Sequence, residues 1–254
     1  MRRFVRAFQS YFPALLEAKV WAQRRYRLTC KRPFEPDFEV LEGFLVRPSE
    51  VLIDAGANRG QSIDAIKMFL PNIMLHAFEP NPLLAQRLVR QFSTSHALTL
   101  HQFGLGDMDT TGTLYVPFYR GFMYDGLASF DRNEASGWLS NETLAGFDPL
   151  HLKLRETTCS VRRLDDFGFS VAFLKLDVQG FERPLLEGGK ATLEASKPLI
   201  LMERSPDAEA YLTGLGWQHA AWSQNVLRRG SHGHANSIWF HPARPDRVAH
   251  LKIE

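Results

Sequence analysis

Short, continuous apolar runs alternate along the chain with segments whose apolar residues recur at helical spacing. The runs predict buried strands, because a strand covered on both faces needs no polar alternation; they are VLIDAG, IMLHAFEP, LTLHQFGLG, VAFLKLDV, PLILMER, WQHAAW and NSIWFHP. The segments QSIDAIKMFL, PLLAQRLVRQF, FERPLLEGGKATLEAS and DAEAYLTGLG predict helices. This alternation predicts an α/β fold, with a mostly parallel sheet, right-handed crossovers and helices on both faces.

Residues 107–160 interrupt this alternation. GTLYVPF and ETTCSVRRLDDF predict two added strands, and the stretch between them is rich in Gly, Ser, Asp and aromatic residues. We interpret the block as an insertion after the third strand, a β-hairpin that carries a loop over the site, since long irregular loops often bind ligands. Its aromatic residues either line an acceptor site or form a small core of their own; they are Tyr115, Phe118, Tyr119, Phe122, Tyr124, Phe130 and Trp138.

The first part of the chain is strongly basic. Residues 1–32 contain nine Arg and Lys residues and one acid, Glu17, so they carry a net charge of +8, whereas the rest of the chain sums to −6. Their apolar residues recur at helical spacing, with Pro13 as an interruption. We expect a helical arm over residues 1–35 and a single domain over residues 36–254. The arm either contacts an anionic membrane surface or a carrier, or packs as a solvated helix on the core or on the second copy of a homodimer.

Composition restricts the classes of protein and site. Apolar residues make up 44% of the chain, as is ordinary for a soluble globular protein, and no apolar run approaches the ~18 residues that span a membrane. The cysteines Cys30 and Cys159 form neither a disulfide framework nor a thiolate zinc site. This favours a cytoplasmic protein, with peripheral contact to the inner membrane surface left open. We predict no metal site, because His232 and His234 are typical of a surface loop.

Acidic residues end four of the predicted strands. Asp54, Glu79, Asp177 and Glu203 come at or near the carboxyl ends of their apolar runs. In an open α/β sheet the ligand lies at this edge, near the point where strand order reverses. Four acids at successive strand ends therefore predict a binding site there.

The turn after the first strand favours one kind of cofactor. It has the pattern D-x-G-x-N-x-G rather than the G-x-G-x-x-G of dinucleotide-binding turns, and Asp54 would repel a pyrophosphate. Glu79 follows Gly60 by 19 residues, the interval at which dinucleotide folds place a carboxylate on ribose hydroxyls. An acidic site with a ribose ligand suits S-adenosylmethionine, whose ammonium and sulfonium are positive, and Gly56 permits close approach of the backbone. An NAD-dependent oxidoreductase is the alternative.

Six blocks of the sequence together resemble a known family. They are VLIDAGANRGQS, HAFEPNP, GLGDMDTTGTLYV, VRRLDDF, LKLDVQGFERPLLEGG and PLILMER, and the resemblance covers residues 36–241. The chain is similar to the FkbM-type S-adenosylmethionine-dependent methyltransferases. The resemblance implies a class I methyltransferase (Rossmann-like) fold, with a seven-stranded sheet in the order 3-2-1-4-5-7-6 and strand 7 antiparallel. It also implies O-methylation of a hydroxyl on a sugar, a glycolipid or a natural product.

The resemblance also assigns residues. Glu79 matches the ribose acid, and Asp107 matches the position that bonds the adenine amine. Gln179 stands where the family commonly has Glu, which removes one negative charge next to the site. The cofactor-binding residues assigned by the matched blocks, with two neighbours in the chain, are Asp54, Gly56, Asn58, Gly60, Ser62, Glu79, Pro80, Asp107 and Asp177.

Methyl transfer to a hydroxyl needs a base close to the reacting oxygen, because an alcohol is a weak nucleophile at neutral pH. Asp177 is the first candidate, since it ends the central strand beside the cofactor turn. Glu182 and Glu203 compete for this role, although Glu182 also suits a helix N-terminus and Glu203 a salt bridge. Lys175 either orients Asp177 or simply pairs with it, and Ser129 of the insertion is placed near the cofactor. A divalent cation held by Asp177 and Glu203 is a less favoured alternative.

The expected partner is a small-molecule, glycan or lipid acceptor. Nucleic acid is not expected, because the chain outside the arm is acidic and lacks the N-P-P-[YF] block of amine methylation. A module that binds the cofactor without transferring a methyl group remains a third possibility.

Overall fold

The computed structural model describes residues 12–231, 233 and 236–254. Three arginines of the predicted arm and both histidines of the predicted surface loop lie outside the described residues; they are Arg2, Arg3, Arg6, His232 and His234. Among the residues described, no helix is both long enough and apolar enough to cross a membrane.

Twelve strands are found in the described part of the chain. They are β1 (Val51–Ala55), β2 (Leu75–Phe78), β3 (Leu98–His101), β4 (Gly104–Gly106), β5 (Thr110–Tyr119), β6 (Phe122–Met123), β7 (Leu152–Arg163), β8 (Val171–Leu176), β9 (Leu199–Glu203), β10 (Gln218–Ser223), β11 (Val226–Arg229) and β12 (Asn236–Phe240). Eight of them form the central sheet, in the order β11-β10-β12-β9-β8-β1-β2-β3. Neighbours from β3 to β9 are parallel, and β12 is antiparallel to both β9 and β10. The α/β prediction is confirmed.

The prediction of a seven-stranded sheet was wrong by one strand. Seven strands follow the predicted order, with β12 in the place of the antiparallel strand, and β11 adds an eighth at the edge. β10 and β11 form a hairpin around Gln224 and Asn225, whose φ angles are +53° and +60°. Two-residue hairpin turns of type I′ need positive φ at both positions and are usually signalled by Asn-Gly, Asp-Gly or Gly-Gly. Gln224 carries no such signal, so the sequence pattern left β11 unassigned.

Helices cover both faces of the central sheet. On one face, Phe38 packs with Ile63 and Ile66. On the other face, Leu185 and Leu193 belong to a second core cluster. The helices of the described residues are α1 (Pro13–Cys30), α2 (Gln61–Phe69), α3 (Pro82–Gln91), α4 (Arg132–Gly137), α5 (Glu182–Gly188), α6 (Lys190–Ser196) and α7 (Pro206–Gly214), with short 3-10 helices that include Pro36–Leu41 and Asp125–Leu127.

A second sheet follows the third strand, in the order β4-β7-β5-β6. β5 and β7 form a long antiparallel pair that runs from Thr110 opposite Val161 to Tyr119 opposite Leu152. The chain between them returns to β5 at Ser129, whose backbone exchanges hydrogen bonds of 2.8 and 3.2 Å with Tyr115. This exchange holds the segment before Ser129 over the carboxyl ends of β1 and β2.

Helix α1 lies against the domain through ion pairs. Arg24 donates to the carboxylate of Asp64 in α2 at 2.5 and 2.8 Å. Glu17 accepts from Arg59 at 3.0 Å and from Arg87 at 3.3 Å. The described part of the basic arm therefore contacts the elements that flank the turn after β1.

Candidate functional site

A cavity of ≈ 170 Å³ lies at the carboxyl ends of β1, β2 and β8. This is the edge at which open α/β sheets bind their ligands. Loops after these strands form one wall, and the insertion forms the opposite wall. The residues of the first wall include Gly56, Asn58, Glu79, Pro80, Asp177 and Gln179, and those of the second include Asp125, Gly126, Ala128, Ser129 and Phe130.

The turn after β1 brings the main chain close to the cavity. Gly56 has a φ of +84°, and a Cβ at this position would lie 1.8 Å from the carbonyl oxygen of Asp177. Only glycine fits, because the loops after β1 and β8 meet here through backbone atoms. Asn58 has a φ of +48°, and its Oδ1 is buried without a hydrogen-bond partner in the described structure. The turn thus offers a ligand close backbone contact and a free acceptor atom.

Glu79 follows β2 and is only 7% exposed. Its Oε2 accepts a hydrogen bond of 2.7 Å from the N–H of Asn58, and its Oε1 accepts one of 2.9 Å from the N–H of Asn81. Burial raises the pKa of Glu79 to about 7, and these two hydrogen bonds limit the rise. Each oxygen keeps a further lone pair, so the carboxylate can accept two hydrogen bonds from the vicinal hydroxyls of a ribose.

Lys175 lies beneath the cavity between two acids. Its Nζ is 3.5 Å from Asp54 Oδ1 and 3.2 Å from Asp177 Oδ2, and it donates to the carbonyl of Gly56 at 2.9 Å. Burial alone lowers the pKa of Lys175, but the charges of Asp177 and Asp54 outweigh it and raise that pKa. Asp54, fully buried, also accepts a 2.6 Å hydrogen bond from Ser62. The ammonium therefore stays charged and ties the turn after β1 to β8.

Asp177 and Glu203 form a second pair at the end of the sheet. The side-chain amide of Gln179 donates to Asp177 Oδ1 at 2.9 Å and to Glu203 Oε2 at 3.1 Å. Burial and the charge of Asp177 raise the pKa of Glu203 to about 7. Burial also acts to raise the pKa of Asp177, but Lys175 and Gln179 outweigh it and lower that pKa. The pair thus contains one ionised carboxylate at the cavity and one carboxyl that exchanges its proton near neutral pH.

The predicted alternative of a cation between Asp177 and Glu203 meets a specific obstacle. The amide nitrogen of Gln179 already donates to both acids. A donor group in that place competes with a cation for the same oxygens. Within the described ranges, no three His, Cys, Asp or Glu side chains are arranged to hold a metal ion.

The family model described as the methyltransferase FkbM domain matches residues 54–231, which is more than half of the chain. The chain belongs to the FkbM methyltransferase family. The predicted family and the predicted methyltransferase activity are confirmed by this match.

Named relatives of the FkbM domain are distant. The curated 2-O-methyltransferase NoeI of Sinorhizobium fredii (strain NBRC 101917 / NGR234) is 25% identical over 170 residues, which cover 66% of this chain and 68% of the relative. A crystal structure of methyltransferase FkbM from Methylobacillus flagellatus KT has 18% identity and a TM-score of 0.48, over 78% of this chain and 45% of that one. The crystal structure of precorrin-6y C5,15-methyltransferase from Geobacter metallireducens GS-15 has 15% identity and a TM-score of 0.40, over 79% of this chain and 82% of that one. The chain thus spans less than half the length of the first of these structures.

Several residues that the sequence analysis assigned to cofactor binding do not line the cavity at the ends of β1, β2 and β8. Asp54 and Ser62 are buried beneath the turn, where they bond each other. Gly60 has a φ of +85° and packs against Phe92, which a Cβ would approach to 2.6 Å. Asp107 is exposed in the turn between β4 and β5. The position of a residue in a motif does not reveal whether its side chain faces the ligand or supports the turn from below.

Glu182 supports the loop after β8 and does not line the cavity. It is 2% exposed and accepts hydrogen bonds from the N–H of Val178 at 3.1 Å and from the N–H of Gly180 at 3.1 and 3.3 Å. Both of its oxygens are therefore engaged by the loop that carries Gln179.

The insertion contributes contacts that the sequence analysis missed or left open. Of the seven aromatic residues proposed for it, Phe130 lines the cavity and lies 5.1 Å from the ring of Phe181, between ring centroids. Tyr119 instead packs with Leu139 and Leu144 in a separate small core. Ser129 lines the cavity, as expected, but its hydroxyl donates to Glu134 at 2.9 Å. Phe130 therefore lines the cavity and also packs on the insertion's own apolar cluster, and contact of these aromatic residues with an acceptor stays a prediction.

Arg59, in the middle of the turn after β1, was also missed. It is 7% exposed, and its guanidinium donates to Asp125 of the insertion, to Glu17 of α1 at 3.0 Å and to the carbonyl of Met123 at 3.5 Å. It also lies over the ring of Phe122, 5.5 Å from the centroid. A buried guanidinium with several partners fixes their relative positions, so Arg59 joins the turn, the insertion and α1. Its partners lie 42 and 66 residues away in the chain, so no local pattern reveals them.

Proposed function

We propose that this FkbM-family enzyme transfers a methyl group from S-adenosylmethionine to a hydroxyl of a sugar, a glycolipid or a natural product. The observation that carries the proposal is Asp177 at the wall of the cavity, joined through the side-chain amide of Gln179 to Glu203, which lies behind that wall. Methylation of an alcohol needs a base at this place, since the hydroxyl must lose its proton. The relative NoeI, named as a 2-O-methyltransferase, supports a hydroxyl as the acceptor.

The residues around the cavity fit S-adenosylmethionine. Glu79 has free lone pairs for ribose hydroxyls, and Gly56 lines the cavity with its backbone because it lets the loops after β1 and β8 meet. The buried, unpartnered Oδ1 of Asn58 is an acceptor for an ammonium group. When bound, S-adenosylmethionine supplies an electrophilic methyl group on a positively charged sulfur. We infer that Glu79, Gly56 and Asn58 hold it.

Asp177 accepts the proton of the acceptor hydroxyl in this mechanism. Its carboxyl is ionised near neutral pH, because Lys175 and Gln179 stabilise the negative form. The same contacts fix its orientation, which matters because in-line transfer needs reacting atoms aligned at about 3–3.5 Å. Glu203 is joined to Asp177 through the side-chain amide of Gln179, so a change of charge on one acid is felt by the other. Lys175 and Gln179 are positioning residues in this scheme.

The insertion covers one side of the cavity. Phe130 from the insertion meets Phe181 from the loop after β8, so two apolar rings close that side. The side chain of Asp177 is 37% exposed, so the base stays accessible from the open side. The acceptor therefore enters past the insertion, and its residues contribute to the choice of acceptor.

Calorimetry and a transfer assay test the function. We expect the full-length protein to bind S-adenosylmethionine but not NAD, and to move a labelled methyl group onto members of a panel of hydroxylated sugars and lipids. Binding of NAD with no binding of S-adenosylmethionine would reject the proposal. Binding of the cofactor with transfer only to amines or carbon acids would reject the hydroxyl assignment.

Glu79→Ala is expected to weaken binding of S-adenosylmethionine by about 1–3 kcal/mol, because a charge-assisted contact to ribose is lost. Calorimetry measures this change, and thermal unfolding checks that the variant folds, since the N–H groups of Asn58 and Asn81 lose their acceptor. Glu79→Gln keeps one acceptor oxygen and should lose less affinity for S-adenosylmethionine than Glu79→Ala does. Unchanged affinity in a folded Glu79→Ala protein would remove the ribose assignment.

The rate should rise with pH through the range in which Glu203 ionises. Its pKa of about 7 means that below this pH the pair Asp177 and Glu203 carries one negative charge, and above it two. The second charge makes Asp177 a stronger base, so kcat/KM increases as the pH passes about 7 and then levels. Glu203→Gln has no carboxyl to titrate at this position, so the step near pH 7 should become smaller, and what remains is the contribution of Glu79, whose pKa is also about 7. A step of the same size in Glu203→Gln would contradict the assignment.

A further inference from the structure

A second cavity, of ≈ 340 Å³, lies between α1 and the body of the domain. We call it the α1 groove. Its volume falls in the range of about 300–1,000 Å³ that small-molecule sites occupy. Apolar and basic side chains line it together; they include Trp21, Leu28, Phe34, Met68, Arg27 and Arg32.

The groove has two arginines that pair with no acid in the described part of the chain. Its other arginines are paired with Asp64, Glu17 or the insertion. Arg27 and Arg32 form no ion pair with any described residue. The backbone N–H of Arg32 donates to the carbonyl of Arg27 at 3.0 Å, so both residues lie at the same end of α1. Two unpaired guanidinium groups at one end of a groove favour a phosphate or a carboxylate.

Apolar surface is exposed along the same groove. Trp21 is 65% exposed and Leu28 is 38% exposed, although both face a concave surface that also contains Phe34 and Met68. A hydrocarbon chain laid along these side chains would remove apolar area from water, which favours binding. The groove therefore matches a ligand with one anionic end and one apolar end.

We propose that the α1 groove binds an anionic amphiphile, a phosphate ester that carries an apolar chain. Arg27 and Arg32 bind the phosphate, and Trp21 and Leu28 contact the chain. Charge complementarity selects this occupant over the N-terminal segment of the protein itself, because residues 1–11 contain three arginines and no acid. That segment would place more positive charge beside guanidinium groups that already lack a partner.

This site is separate from the proposed methyl transfer. Arg59 lines the α1 groove, whereas its partner Asp125 lines the cavity beside Asp177, so the ion pair Arg59–Asp125 stands between the two spaces. Binding in the groove needs neither the cofactor nor the hydroxyl acceptor. The test of ligand binding in the α1 groove can therefore succeed or fail independently of the proposed function.

Calorimetry on the full-length protein tests the proposal with three probes: octyl phosphate below its micelle concentration, octanol and inorganic phosphate. We expect the dissociation constant of octyl phosphate to be at least about tenfold lower than that of either other probe, because only octyl phosphate contacts both parts of the groove. The double variant Arg27→Ser/Arg32→Ser should lose this advantage. Trp21→Ala should weaken the binding of octyl phosphate but not the binding of inorganic phosphate.

The matched control is Lys19→Ser/Arg25→Ser, which removes the same charge from exposed positions of α1 that do not line the groove. It should bind octyl phosphate as the unmodified protein does. Equal losses in the two double variants would show general attraction to a basic helix and overturn the proposal. Absence of octyl phosphate binding, or equal affinity for inorganic phosphate, would overturn it as well. Thermal unfolding of each variant confirms that the comparison concerns folded proteins.

Discussion

Asp177→Asn is expected to lower kcat by about 10²- to 10⁴-fold, the contribution that a positioned general base makes. Asparagine keeps the shape of the side chain but cannot take the proton of the acceptor hydroxyl. The affinity for S-adenosylmethionine should fall far less, since Glu79 and the turn after β1 make the proposed cofactor contacts. Single-turnover methyl transfer and calorimetry on the same preparation separate the two effects.

Asp107→Asn is the control for this experiment. Asp107 is also an acid at the end of a strand, but it is exposed and does not line the cavity. The structure therefore predicts normal turnover and normal cofactor affinity for this variant, although the family resemblance assigns it to the adenine. Equal losses of turnover and affinity in Asp177→Asn would make Asp177 a cofactor residue rather than the base.

Gly56→Ala is expected to destabilise the protein and to weaken cofactor binding, because the turn that lines the cavity must move. The new Cβ would lie 1.8 Å from the carbonyl oxygen of Asp177, so the loops after β1 and β8 must move apart. Left-handed backbone alone costs about 1–2 kcal/mol for a residue with a Cβ. A displacement of about 1 Å at a site of this kind lowers turnover by roughly 100-fold, even in molecules that fold. Thermal unfolding and cofactor titration measure the two losses.

Gly126→Ala provides the comparison within the same cavity. Gly126 lines the wall formed by the insertion, but a Cβ there would meet no atom within 4 Å. This variant should keep its stability and its affinity for the cofactor. If both glycine variants behaved alike, contact between the loops would not be the reason that position 56 requires glycine.

The sequence predicted the layers of the fold because its signals are local. Continuous apolar runs marked the buried strands, and the helices between them had a clear period. The same local reasoning missed β11, since the turn at Gln224 and Asn225 adopts positive φ without a glycine. An apolar pattern shows which residues are buried, but a turn of unusual composition is stabilised by the strands that it joins.

The acids at the strand ends show a second limit of prediction from the sequence. The sequence placed Asp54, Glu79, Asp177 and Glu203 at one edge of the sheet, and the structure has them there. It could not show that Asp54 points beneath the turn toward Lys175, whereas Asp177 lines the cavity. Side-chain direction depends on the register of β1 against β8, which pairs Asp54 with Lys175 across the strands. The register is set only when the strands pair in the folded sheet, so the sequence alone did not reveal this side-chain direction.

The buried guanidinium of Arg59 restricts how the loop over the cavity can be exchanged in this protein. Exchange of the loop over the cavity for that of a relative would remove Asp125 unless the donor loop also carries an acid at this position. The arginine would then keep only Glu17 as an acid partner, and the loss of one counter-ion from a buried guanidinium lowers stability. A chimaera is therefore expected to be more stable when the loop and its anchoring carboxylate are transplanted as one unit.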